Sequence, residues 1–242
     1  KVNWIVNHVD INADDPQGLT RKHWQDNPKQ QVAFLKQFDV RKEIDQTQTG
    51  LTWKKPINDQ HELNAMVYMG QRDVIQYQSI PSGTQANVRH AGGVIDFSRD
   101  YYGTDIRWTG KDLLPDTRLT AGLAFDYMDE DRKGYENFNA EGQYGVKGNT
   151  RRNENNTLWN LDPYVQASWN FLPTLTLDAG LRYSNVHYES DDKYIVGLNK
   201  DDSGKTDYDK VLPSAALSWA INPKINAYVS YAKGFETPTF TE

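Results

Sequence analysis

The residues best suited to chemistry lie together between Arg132 and Thr157, where the chain reads RKGYENFNAEGQYGVKGNTRRNENNT. Arg132, Lys133, Lys147, Arg151 and Arg152 are interleaved there with Tyr135, Phe138 and Tyr144. Guanidinium forks suit carboxylates or phosphates and aromatic rings suit flat faces, so the chemistry on offer is capture of a ligand. A solvated loop that holds nothing is the other reading of the same residues. Tyr77 and Gln78, with Arg89 and His90 across the next connection, form a second group, for which hydrogen bonding within a protein wall is the plainer role. Trp24 offers a stacking face, with loop packing as its plainer role.

Catalytic and metal chemistry find less in the sequence. Cys is absent, which removes disulfides, thiolate metal sites and cysteine nucleophiles. The acidic stretches DEDRKG (Asp129–Gly134) and NKDDSGKTDYD (Asn199–Asp209) lack the opening and closing ligands of a calcium loop and read as solvated hairpin tips. GVKGNT has the wrong spacing for a phosphate loop. The few histidines have no metal-ligand spacing, and chain order suggests no Ser/His/Asp arrangement. Hydrolytic barrels exist as a class, but no catalytic residue, metal site or cofactor is expected here. The net charge of −6 argues against nucleic acid, and any polyanion would have to meet a local basic patch.

The elements that must position these residues are strands. In LTLDAGLRYS, Leu175, Leu177, Ala179, Leu181 and Tyr183 share one face of an extended chain, and Thr176, Asp178, Gly180, Arg182 and Ser184 share the other. Comparable alternation predicts strands near Val2–Asn12, Arg41–Lys54, His61–Ser79, Gly93–Trp108, Arg118–Asp131, Leu158–Phe171, Leu175–Tyr188, Val211–Ile221 and Ile225–Lys233. No convincing amphipathic helix separates them. No run reaches the ~18 apolar residues of a spanning helix, so the chain is either soluble or spans as strands.

Connections alternate between two kinds. Pro56–Gln60, Gly110–Asp116, Leu172–Thr174 and Asn222–Lys224 are short, whereas Ala13–Phe38, Ile80–Gly92, Arg132–Asn156 and Ser190–Lys210 are long and polar. An up-and-down antiparallel sheet then has every short turn at one end, the plan of outer-membrane barrels. Trp53, Trp108, Trp169 and Trp219 each sit close to a short turn on the apolar parity, and Tyr127, Tyr183 and Tyr231 mark the other end. Two aromatic bands bounding an apolar stripe fit the two interfaces of a bilayer. A soluble sandwich or lumen-type barrel also alternates, but gives no reason for Trp at one end only. Pro163 and Pro213, which remove ladder donors, are expected where pairing frays or bulges.

SYAKGFETPTFTE (Ser230–Glu242) resembles a strand and loop of TonB-dependent outer-membrane receptors. DINADDPQGLT (Asp10–Thr20), QTQTGLTW (Gln46–Trp53), YQSIP (Tyr77–Pro81), RKGYENF (Arg132–Phe138) and WNLDPYVQ (Trp159–Gln166) resemble one branch, the enterobacterial receptors associated with import of pyrroloquinoline quinone. The resemblance implies an all-β fold, with about nine strands of a transmembrane barrel of ~22 strands, residues 1–242 being a partial barrel domain whose plug and closing strands lie elsewhere. It also implies a monomeric barrel in the bacterial outer membrane, contacts with lipid and lipopolysaccharide, and energy from TonB through an N-terminal TonB box. The imported ligand would be pyrroloquinoline quinone, or otherwise a ferric siderophore, and a passive porin-like channel is a third reading. Pyrroloquinoline quinone is a flat tricarboxylate, so Arg132, Lys133, Tyr135, Lys147, Arg151, Arg152, Tyr77, Gln78 and Arg89 become the expected ligand-binding set.

Overall fold

The computed structural model describes residues 1–242 except 16 and 239–242, so the end of the Ser230–Glu242 phrase lies outside the described residues. All nine predicted strands are present: β1 (Val2–Asp14), β2 (Arg41–Pro56), β3 (His61–Tyr77), β4 (Val94–Lys111), β5 (Thr117–Tyr135), β6 (Thr150–Leu172), β7 (Leu175–Asp192), β8 (Gly204–Asn222) and β9 (Ile225–Ala232). They form one antiparallel sheet in sequence order, each strand paired with its chain neighbours. The sheet does not close on itself, because β1 and β9 are its two edges.

Alternation located the strands and understated their length. β5 runs on to Tyr135 and β6 begins at Thr150, so much of the expected loop Arg132–Asn156 is paired strand, and β7 and β8 likewise absorb about half of Ser190–Lys210. The reason is physical: hydropathy reports what a face touches, whereas the backbone ladder continues wherever N–H and C=O groups find partners. Three short helices also occur within the long connections, α1 (Arg21–Asp26), α2 (Ala33–Gln37) and α3 (Ser82–Gln85). The Thr20 hydroxyl caps α1 by accepting the His23 N–H at 3.3 Å.

Register confirms the two faces. On the apolar face Trp53, Ala65, Ile106, Leu123 and Pro163 stand directly opposite one another across five strands. Nothing covers this face: among the described residues Leu181 is 48% exposed, Trp169 47% and Trp219 48%. Among the described residues there is no second sheet of the kind a soluble sandwich needs. At the far end of the stripe Tyr102 stacks on Tyr127 at 4.9 Å, and Trp159 stacks on His187 at 3.7 Å.

The other face is a polar ladder. Tyr164 donates to Asp105 at 2.9 Å, Asn160 donates to Asp126 at 3.1 Å, and Tyr68 donates to the same Asp126. Tyr68 faces Gly103 and Tyr164 faces Gly122, so each ring lies flat where a Cβ would stand within 2.6 Å and 2.4 Å of it. Both prolines sit where the ladder is interrupted. β6–β7 pairing skips Leu161–Pro163, and Asp162 patches the gap by accepting from Arg182, from the Ser184 hydroxyl and from the Asn185 backbone N–H at 3.0 Å. Pro213 lies one step beyond the last β8–β9 rung, where its carbonyl accepts the Lys233 N–H at 3.1 Å.

The small apolar core lies in the long connections. Leu35, Phe38 and Val40 are buried there, with Val32 and Tyr144 packed against them.

Candidate functional site

Strand register decides which polar side chains meet. One row of the polar face runs Gln46, Arg72, Arg99, Glu130, Asn156, and the next row toward the long connections runs Val74, Phe97, Arg132, Glu154. Glu130 is fully buried. It accepts from Arg99 Nε at 3.0 Å and again from Nη2, from Arg132 at 3.5 Å and from Asn156 Nδ2 at 3.4 Å. Glu154 lies 3.3 Å from Arg152 and 3.9 Å from Arg132. The Arg99 and Arg132 guanidiniums sit 5.0 Å and 6.0 Å from the Phe97 ring centre, within cation–π reach. Four arginines, counting Arg72, thus face two carboxylates. Asp192 ends the second row, where its oxygens take the Tyr194 and Asp202 N–H groups at 2.9 Å and 3.3 Å.

A second buried node ties the long connections together. Asn137, fully buried, donates through Nδ2 to the carbonyls of Phe38 and Gln78, both at 3.0 Å, and accepts the Gly145 N–H at 2.9 Å. Its own backbone N–H donates to the buried Gln85 side chain at 2.8 Å. Three segments far apart in sequence are therefore joined at one side chain. Gly92, at φ 89°, lets the chain cross β5 so closely that a Cβ would lie 2.1 Å from the Tyr135 carbonyl oxygen. Arg41 reinforces the joint, with its guanidinium 3.6 Å from the Tyr77 ring centre and bonded to Asp39 and Glu43.

The sequence-predicted residues divide among these places. Arg132 and Arg152 join the polar-face cluster. Arg151 falls in the bulge where the register shifts between Gly134 and Tyr135, and tucks its guanidinium onto the Asn87 carbonyl and 3.6 Å from Glu136. Lys133 sits one residue along from Arg132, on the opposite face, paired with Asp131 at 3.4 Å. Lys147 pairs with Asp96 at 2.7 Å and stands 5.6 Å over the Tyr135 ring. The five cations do not converge. Tyr77 is buried beneath Arg41, the Gln78 backbone donates to Gly93 at 2.8 Å, Arg89 is exposed, and His90 Nδ1 accepts the Gly92 N–H at 3.1 Å.

Phe138 and Tyr144 pack on each other, and Tyr144 also packs edge-on against Phe38 at 4.8 Å, so both rings serve the loop core. Trp24 is no packing anchor, being 61% exposed. In the β7–β8 connection the Ser203 hydroxyl and backbone N–H hold the Asp201 carboxyl below the usual carboxylate range. Among the described residues no group of three or more His, Cys, Asp or Glu side chains gathers in metal-binding fashion. Arg72, Arg99, Glu130, Glu154, Asn137, Gln85 and Arg41 escaped sequence reasoning. For Arg72, Arg99 and Glu130 a signal existed, because counting outward from the short turns places them in one row.

A single meandering sheet with an uncovered apolar face, aromatic bands at both ends and a polar face of buried ion pairs defines a segment of a membrane-type β-barrel. The family described as TonB dependent receptor-like, beta-barrel matches residues 3–242, and the chain belongs to that family. Its members are bacterial outer-membrane transporters, not enzymes. The fold is similar to that of the unliganded ferric citrate transporter FecA, with a TM-score of 0.72 and 15% identity over 95% of this chain and 32% of the other. It is also similar to the siderophore receptor PiuA from Acinetobacter baumannii, with a TM-score of 0.64 and 14% identity over 80% of this chain and 32% of that one. The copper transporter OprC gives 0.63 and 12% over 83% and 32%. The chain thus spans about a third of the length of these structures.

Proposed function

We propose that residues 1–242 are one stretch of the barrel of an outer-membrane import receptor that captures a scarce small ligand outside the cell and takes it up with energy from TonB. The observation that supports this is the division of one sheet into an uncovered apolar face and a polar face rich in arginine, with rigidly tied loops at one end. Apolar side chains left bare in water would be costly, and acyl chains relieve that cost. The receptor works as a monomeric barrel among lipid and lipopolysaccharide, with TonB engaged through an N-terminal segment.

The first ligand is pyrroloquinoline quinone, on the branch resemblance. Its carboxylates would be met by the exposed Arg89 and by the accessible part of Arg152 on the polar face. Ferric siderophores are the second reading, favoured by the names of FecA and PiuA. Titration of the complete receptor with the quinone in iron-free buffer gives saturable binding on the first reading. Saturation by an iron chelate and none by the quinone transfers the function to siderophore uptake.

Placement in the membrane is tested separately. Leu181→Arg, on the apolar face between the two aromatic bands, lowers stability of the complete receptor in lipid vesicles by about 2 kcal/mol, whereas Ser214→Arg, at similar depth on the polar face, costs under about 1 kcal/mol. Equal losses in the two variants, read by urea unfolding, would remove the bilayer from the picture.

A further inference from the structure

Arg72 is the exception among the arginines of these two rows. It stands directly opposite Arg99 in the β3–β4 ladder, a like-charge pair of a kind that destabilises a sheet. Arg99 is neutralised by Glu130, and Arg132 and Arg152 share Glu130 and Glu154. Arg72 makes no ion pair or hydrogen bond among the described residues, and its Nε is sealed from solvent with nothing to donate to. On its other side in the row is Gln46, whose amide is bonded to Gln48 and Tyr101 and supplies no negative charge. A half-sheltered guanidinium beside a second one, left without a partner, is an energetic fault unless something else supplies the anion.

We propose that Arg72 and its neighbour Arg99 form an anion seat on the lumen wall that takes a carboxylate of the imported ligand. The ligand class is a small anion with two or more carboxylates, a deepening that rests on the import reading above. Arg72 supplies the free fork. Arg99 is held in place by Glu130 and cannot swing away, and the four arginines of these rows against Glu130 and Glu154 leave the seat net positive. The seat is positive although the chain as a whole carries −6, which is the local basic patch an anionic ligand requires. The Tyr101 ring, diagonal to Arg72 and tethered by hydrogen bonds with Gln46 and Gln48, borders the seat on the side of the short turns.

The test uses the complete receptor, with pyrroloquinoline quinone and ferric citrate as separate probes and Arg72→Met and Arg72→Lys as variants. Binding of at least one probe weakens about tenfold or more in Arg72→Met, and Arg72→Lys recovers part of it as a point charge without the fork. The affinity of the unaltered receptor for that probe falls as salt is raised. Retained heat-modifiable mobility of both variants on gels shows that the barrel has formed. Arg72-dependent binding of ferric citrate, with no quinone binding, keeps the seat and discards the quinone. Quinone binding of equal strength in the unaltered receptor and in Arg72→Met keeps the quinone and overturns the seat. Binding of neither probe overturns the polycarboxylate class itself.

Discussion

Glu130→Gln lowers the unfolding free energy of the complete receptor by about 3 kcal/mol, the low end for breaking a buried ion pair. The carboxylate is fully buried and is the shared partner of Arg99 and Arg132. Glutamine keeps the shape and one acceptor oxygen but removes the charge, leaving two guanidiniums facing each other across adjacent strands. Arg99 is 32% exposed, so water relieves part of that repulsion, which places the effect at the low end and not the high one. Because the pair is sheltered, 1 M salt changes the loss little, whereas a surface pair of the same kind would be screened. Urea midpoints at low and high salt, followed by tryptophan fluorescence, read both statements. A loss below about 1 kcal/mol, or one abolished by salt, means that Glu130 acts as a surface residue.

Asn137→Ala acts on a different part of the molecule. The amide makes two donor bonds, to Phe38 and Gln78, and accepts one from Gly145, all in a site closed to water. Each neutral bond contributes about 1 kcal/mol, and each buried group left without its partner costs more, so the local loss is about 3 kcal/mol. That loss falls on the loops. The strands do not depend on Asn137, so the urea midpoint of the barrel moves little while amide exchange in residues 33–40 and 136–148 rises by about a hundredfold. Limited proteolysis at those segments checks the same point. Unchanged exchange would mean that the three connections are held by Phe38, Tyr144 and Arg41 alone.

The two losses separate the molecule into a wall and a fitting set on it. The wall carries the arginine rows, so its charges are fixed by strand register to within a side chain's length. The fitting is a small apolar core, Leu35, Phe38 and Val40, closed by Tyr144 and locked by Asn137. On the import reading proposed above, a ligand entering past these loops would meet connections tied together at Asn137. Capture through large movement of these three connections would require breaking the Asn137 node first, and the Asn137→Ala variant is the direct probe of whether that happens.

The amino-acid sequence by itself determined the nine strands, the faces of Leu175 to Tyr183, the Trp belt beside the short turns and the family resemblance. Those features are local: side-chain direction alternates every residue along a strand, and a turn of two to five residues makes chain neighbours pair. What only the tertiary structure decided is which charges are already satisfied. Arg132 and Arg151 read as free cations in the sequence, yet Glu130, Glu154 and Glu136 neutralise them, while Arg72, unremarked in its strand, is left without a counter-charge. Asn137 meets partners 52, 59 and 99 residues away. Coulomb and hydrogen-bond partners are set by distance in space, and the sheet brings residues of neighbouring strands to within about 5 Å whatever their separation along the chain.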